Sequence, residues 1–348
     1  MHFSLIIDFL QTFWLPLIIT SIGALAYGSF VMWYGKIKLG QSLALFFTGI
    51  IVITCIFLPF NWSIQNSDMG GKELSLFFFN INIEGNNFIS DFRGSLENLG
   101  IPTHYVQNSI IFFLAFLEEL AKLTLLILVI RKSLRFPVIL VYIFVVGAFI
   151  NRLLGAGNSE ALMIAIGGVS FIGLIVLWFL LGTAVKTESV SDYMYSIALV
   201  ALGFAFAENI KYMLDLSRAG QSHEAIVNNA MLRAIFGYLS HTFFSMVCVS
   251  LYARGRFAFL RLLDNTGGLS LSQKALGWKG YTQMKSIQGF WFGVIAASLL
   301  HGIYNIYIGQ NVLLPSIMLV VGFLFLEFFV LHDLRNNTRY GHIEGTMR

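Results

Sequence analysis

Apolar runs long enough to cross a bilayer as helices recur along the chain. Nine runs are predicted to span a membrane: residues 8–33, 41–60, 107–130, 137–154, 161–183, 192–214, 226–252, 288–308 and 312–332. Basic residues test this count, because cytoplasmic loops are enriched in Lys and Arg. With the N-terminus outside, fifteen Lys and Arg residues fall on inside segments and four on outside segments. The pattern therefore predicts an all-α polytopic membrane protein with about nine transmembrane helices, N-terminus out and C-terminus in.

These spans divide the chain into four predicted regions. They are two N-terminal transmembrane helices (1–60), an extracytoplasmic loop (61–106), a transmembrane core (107–310) and a last helix with a cytoplasmic tail (311–348). Within the outer loop, residues 74–83 alternate too little for a clear strand and suggest an interfacial or re-entrant element. Within the core, residues 254–287 form a basic cytoplasmic loop, which fits either a helix on an anionic inner leaflet or an ordinary loop.

The composition agrees with a membrane protein and narrows its partners. Hydrophobic residues make up 57% of the chain and charged residues 11%, whereas a soluble domain averages about 25% charged residues. The net charge of +4 follows from the loop asymmetry, and no segment resembles a nucleic-acid-binding surface. The expected surroundings are a lipid bilayer, with no nucleic acid.

Four polar clusters interrupt the apolar runs of the core. They are Glu118, Glu119 and Lys122; Glu208 and Asn209; His241 and Ser245; and His301 and Asn305. A charged side chain at membrane depth costs at least a few kcal/mol unless it faces water, a partner or a reaction. One such cluster could merely pair with a neighbouring helix. Four clusters at mid to outer membrane depth favour one shared functional site.

Two kinds of hydrolytic chemistry fit these residues. In the first, Glu118 or Glu119 is a general base toward water, and imidazoles together with Asn305 donate to a developing oxyanion. In the second, a zinc ion activates the water, held by Glu119, Glu208, His241 and His301. No His-Glu-x-x-His sequence occurs in the chain, so we expect no cofactor and keep zinc as the alternative.

The order and spacing of the motifs resemble one protease family. The motifs are Glu118-Glu119-x-x-Lys122, Phe204-Ala-Phe-Ala-Glu208-Asn209, His241-x-x-x-Ser245 and His301-x-x-x-Asn305. Over residues 105–310 they resemble the PrsW family of intramembrane proteases, of glutamic type. They are more distantly similar to the CPBP superfamily, the prenyl-protein and bacteriocin-processing membrane proteases.

The resemblance implies a function and a role for each residue. The expected reaction is hydrolysis of a peptide bond in a single-pass membrane protein, such as an anti-sigma factor, in the outer half of a bacterial cytoplasmic membrane. Glu118 would be the base, with Glu119 as the alternative, His241 would orient or share its proton, and His301 with Asn305 would hold the oxyanion. Lys122, Glu208, Asn209 and Ser245 would support the site, with Lys122 as a counter-ion.

A transporter is the main alternative function. Intramembrane Glu and His residues also form the relays of proton- or ion-coupled transporters. Such proteins are often built from internal repeats, and no repeat is visible in this sequence. A non-catalytic membrane scaffold is a third hypothesis.

Overall fold

The structure, a computed structural model, describes residues 2–52, 74–76, 79–81, 102–130, 189–257, 271–308, 313–324 and 326. Eight helices lie in these ranges: α1 (His2–Gly35), α2 (Leu39–Val52), α3 (Thr103–Ile130), α4 (Val190–Arg218), α5 (His223–Leu232), α6 (Tyr238–Arg256), α7 (Leu271–Ile308) and α8 (Leu313–Leu324). A π-helical turn, Arg233–Gly237, joins α5 to α6. The expected spans 137–154 and 161–183 lie outside the described residues.

Four stretches of helix are long and apolar enough to cross a membrane. They are Trp14–Gly35, Val190–Met213, His223–Arg256 and Gly280–Ile308, and each overlaps one of the predicted spans. Helices α2 and α8 are apolar but shorter within the described ranges. Helix α3 has 28 residues and carries three charged side chains near its middle, and it is not one of these four stretches. The total of nine spans and their orientation stay predictions.

Two local predictions need correction. Residues 74–76 and 79–81 form two antiparallel strands in which Leu74 pairs with Ile81 and Leu76 with Phe79. Backbone pairing between the two short strands therefore outweighs the weak alternation of their side chains. In addition, α7 begins at Leu271, inside the predicted loop 254–287. No proline interrupts residues 271–287, and the helix therefore continues into that region.

Helix α4 lies at the centre of the described helices. Most of its apolar stretch Val190–Met213 is buried, and the helix packs against α1, α2 and α6. Glycines allow the closest approach: a Cβ atom on Gly49 of α2 would collide with the Val200 carbonyl, and one on Gly203 of α4 with the Phe46 carbonyl. Small residues serve the same purpose in many membrane helix pairs. Glu208 and Asn209 follow Gly203 by about one and a half turns, and both are buried.

Helices α6 and α7 form another close pair. Cβ atoms on Gly289 and Gly293 of α7 would collide with the backbone of Leu251 and Cys248 on α6. Helix α3 packs on α7 and also contacts α6. The three helices that carry the glutamate pair and the two histidines are therefore neighbours.

The end of α1 shows why the chain turns there. Lys36 has a left-handed backbone, with φ of 50°, and the Ile37 N–H donates to the Met32 carbonyl at 3.1 Å. This bond from the second residue past the helix end is the mark of a Schellman motif. The chain reverses over three residues and starts α2 at Leu39.

Candidate active site

The four polar clusters meet between α3, α4, α6 and α7. Eight of the nine predicted site residues are buried: Glu118, Glu119, Lys122, Glu208, Asn209, His241, Ser245 and His301. Contacts among them cross all four helices. The structure thus brings together residues that are up to 183 positions apart in the sequence, and it leaves Asn305 aside.

Glu119 contacts three other residues of the cluster. Its Oε1 accepts a hydrogen bond from Lys122 Nζ at 2.7 Å and lies 3.1 Å from His301 Nδ1. Its Oε2 accepts from Ser245 Oγ at 2.8 Å. Both oxygens are therefore engaged, and this carboxylate ties α3 to α6 and α7.

The neighbours of His241 determine which ring nitrogen carries the proton. Nδ1 lies 3.2 Å from Lys122 Nζ, and Nε2 lies 2.8 Å from Glu208 Oε2. A lysine ammonium can only donate and a carboxylate can only accept. The neutral ring therefore donates Nε2–H to Glu208 and turns the Nδ1 lone pair toward Lys122.

Glu118 differs from its neighbour in having an unpaired oxygen. Its Oε2 is buried and has no hydrogen-bond partner among the described residues. Three nitrogens surround it just beyond hydrogen-bond distance: His301 Nε2 at 3.7 Å, His241 Nδ1 at 3.9 Å and Lys122 Nζ at 3.9 Å. A buried polar atom without a partner is rare in native proteins and calls for an explanation. This oxygen is where a water molecule or an ion would complete the site.

Arg233 is a contact residue that the sequence reasoning left out. Its guanidinium donates to Glu208 Oε2 at 2.5 Å and to Asn209 Oδ1 at 2.8 Å, and it lies over the Tyr212 ring, 3.8 Å from the centroid. The signal in the sequence was an arginine inside an apolar run. Its spacing from His241 in a regular helix would have placed it on a different face.

Aromatic rings enclose the histidines and the lysine. Phe244 stacks on His301 with the ring centroids 4.8 Å apart, and the two histidine rings meet edge to face at 5.2 Å. The centroid of the Phe204 ring lies 4.4 Å from Lys122 Nζ. These rings line the cluster with apolar surface, which strengthens the electrostatic contacts within it.

Asn305 does not join the buried cluster. It lies one turn after His301 on α7, but its side chain is exposed, and it makes no hydrogen bond within the described part of the chain. Its role as an oxyanion donor stays a prediction.

A comparison with protein-family models assigns the chain to a family. The model described as "PrsW family intramembrane metalloprotease" matches residues 97–331. The chain belongs to the PrsW family. Comparisons with curated proteins and with solved structures found no match. Because PrsW is a family of intramembrane peptidases, membership supports an integral membrane peptidase and does not favour the transporter. The matched region extends past residues 105–310 at both ends and includes most of the last predicted span.

The PrsW family description includes a metal, and the site can be tested for one. Glu118, Glu119, His241 and His301 are buried, and each offers a ligand atom within 4.8 Å of the others. Imidazoles and carboxylates are donors that zinc accepts, and the orphaned Glu118 Oε2 is a free donor. Glu208, expected as a ligand, is not in this group. The residues fit a metal, although Lys122 Nζ contacts two of the same donors, on Glu119 and His241.

Proposed function

We propose that this PrsW-family protein is an intramembrane endopeptidase that uses Glu118 to activate water against a peptide bond of a membrane protein. The observation that carries the proposal is the buried Glu118 Oε2, which lacks a hydrogen-bond partner among the described residues. A general base must keep a lone pair for the proton that it removes. Glu118 keeps one.

Glu119 is assigned a supporting role by the same reasoning. Its oxygens accept from Lys122 and Ser245 and lie within hydrogen-bond distance of His301. A carboxylate held by a buried ammonium is a weaker base than one without a partner. Glu119 therefore orients His301 and balances the charge of Lys122.

The histidines complete the proton transfers. Because the Nδ1–H of His301 points to Glu119, its Nε2 faces Glu118 at 3.7 Å. Water attacks the carbonyl carbon and gives a proton to Glu118, which passes it through His301 to the leaving amine nitrogen. In the tetrahedral intermediate the His301 Nε2–H donates to the oxyanion, and its proton then moves to the amine nitrogen as the C–N bond breaks. Asn305 is proposed as a second oxyanion donor at the exposed end of the site.

A metal is the alternative way to activate the same water. Glu118, Glu119, His241 and His301 would hold zinc, and Glu208 would orient His241 through its other ring nitrogen, as outer carboxylates do for metal-bound histidines. A bound zinc ion would polarise the carbonyl and acidify water. The residues of the chain would then bind the substrate and move the protons.

The proposed substrate is a single-pass membrane protein cut in or near the outer half of the bilayer of a bacterial cytoplasmic membrane. Glu118 and His241 lie near the middle of their helices, α3 (Thr103–Ile130) and the span His223–Arg256. A peptide bond that reaches them must be at membrane depth. The family membership supports a peptide substrate, since PrsW proteins are intramembrane peptidases.

The test compares new protein N-termini in cells that express the wild type or Glu118→Gln at matched levels. The control is Glu224→Gln, the same change on an exposed residue at the start of α5. We expect new termini beside single-pass transmembrane segments with the wild type and the control only. Identical termini in all three strains, with each protein present in the membrane, would overturn the proposal.

A further inference from the structure

The π-helical turn between α5 and α6 lies directly before the helix that carries His241. Arg233 is its first residue and Gly237 its last. Helix α1 supports this turn from outside: the Tyr27 hydroxyl donates to the Ile235 carbonyl at 3.3 Å, and the Tyr238 hydroxyl donates to the Thr20 carbonyl at 2.8 Å. π turns inside α-helices occur frequently at functional sites.

The turn changes which face of the helix Arg233 occupies. Arg233 and His241 are eight residues apart, which in a regular helix of 3.6 residues per turn separates them by about 80° around the axis. A π turn takes up one extra residue. The eight residues then turn through the angle that seven residues cover in a regular helix. The angle between Arg233 and His241 around the axis falls to about 20°. Both side chains consequently face α4.

Both side chains also meet at one atom. Glu208 Oε2 accepts from Arg233 at 2.5 Å and lies 2.8 Å from His241 Nε2. The guanidinium is fixed further by its bond to Asn209 Oδ1 and by the Tyr212 ring beneath it. Arg233 is partly exposed, with 22% of its side-chain surface accessible, so the chain of contacts runs from the surface to His241.

We propose that Arg233 is a positioning residue that holds Glu208 as the acceptor for His241 Nε2–H. This fixes the His241 tautomer whose Nδ1 faces Glu118 and Lys122. The inference rests on the proposed function for its catalytic consequence only. An arginine suits the task because its planar fork bonds Glu208 and Asn209 at once, which a lysine cannot reproduce.

The kinetic test uses Arg233→Met and Arg233→Lys, with Arg256→Met as the matched control. Arg256 is exposed near the end of the same span. Loss of a direct outer partner of a metal-bound histidine costs about 10–100-fold. Because Arg233 acts through Glu208, we expect Arg233→Met to lose about 10-fold in kcat, the lower end of that range, with little change in KM. Arg233→Lys should recover part of it. A rise in KM alone would place Arg233 on the substrate and overturn the positioning role.

A measurement without turnover separates this inference from the proposed function. Histidine ring nitrogens labelled with ¹⁵N report the tautomer by NMR of the purified protein, and His241→Gln identifies the signal of His241. We expect the Nε2–H form in the wild type, in Glu118→Gln and in Arg256→Met, and a mixture of tautomers in Arg233→Met. An unchanged tautomer in Arg233→Met would refute the inference, whether or not the wild type cleaves peptides. If Arg233→Met does not accumulate, Arg233→Gln, which also lacks the positive charge, carries the same comparison.

Discussion

The Glu119→Gln substitution is expected to destabilise the protein much more than Glu118→Gln. Glu119 Oε1 lies 2.7 Å from Lys122 Nζ, and both side chains are fully buried. Removing one partner of a buried ion pair costs about 3–5 kcal/mol, because the other charge is left uncompensated. Glu118 Oε2, 3.9 Å from the same ammonium, offsets part of that charge. We therefore expect the lower end, about 3 kcal/mol.

Two variants calibrate this value. Glu118→Gln breaks no hydrogen bond at Oε2, and its cost should be about 1 kcal/mol or less. The double substitution Glu119→Gln with Lys122→Met removes both charges, and replacing a buried ion pair by neutral groups is often nearly neutral. The double variant should therefore regain most of the stability that Glu119→Gln loses.

The assay is thermal unfolding in detergent micelles, with the three variants and the wild type at equal concentration. At about 2 °C per kcal/mol for a chain of this size, Glu119→Gln should lower the midpoint by about 6 °C. The reasoning fails if Glu119→Gln melts with the wild type. It also fails if adding Lys122→Met to Glu119→Gln gives no recovery.

Three further predictions concern the mouth of the site, the packing and the metal. Asn305→Ala should lower kcat by about 10²–10³-fold if it donates to the oxyanion, with an unchanged unfolding midpoint since the residue is exposed; an unchanged kcat would remove it from the site. Gly203→Ala should cost about 1–3 kcal/mol by overpacking against the Phe46 carbonyl, whereas Gly28→Ala, with open space around it, should cost little in the same unfolding assay. Because Lys122 already neutralises Glu119, we expect cleavage to survive a zinc chelator; loss of activity that zinc restores, with zinc bound by the wild type and not by His301→Ala, would establish the metal scheme instead.

The buried cluster was readable from the sequence because the cost of polar groups in a membrane leaves few alternatives. Glu118, Glu119, His241 and His301 stand out in apolar runs, and the structure brings all four together. Asn305 shows the limit of this reasoning. Spacing of four residues puts it on the face of His301, but its exposure depends on how far the neighbouring helices extend beside α7.

Arg233 shows a second limit. Its face depends on a π turn that contacts α1, more than 200 residues earlier in the chain, and no local pattern encodes such a contact. The choice between the two glutamates also depends on contacts that the sequence does not show. Adjacent carboxylates look equivalent in the sequence. Contacts with Lys122, Ser245 and His301 distinguish Glu119 from Glu118, whose Oε2 has no hydrogen-bond partner among the described residues.

The burial of α4 determines which segments could be removed without loss of the packed structure. The family match starts at residue 97, after α1 and α2, yet both of these helices pack directly on α4. A fragment trimmed to the matched region would expose the Gly203 face of α4 to lipid and remove the hydroxyl of Tyr27 from the π turn. The first two helices therefore belong to the same packed unit as the helices of the candidate site, even though they carry none of its motifs and lie before the matched region.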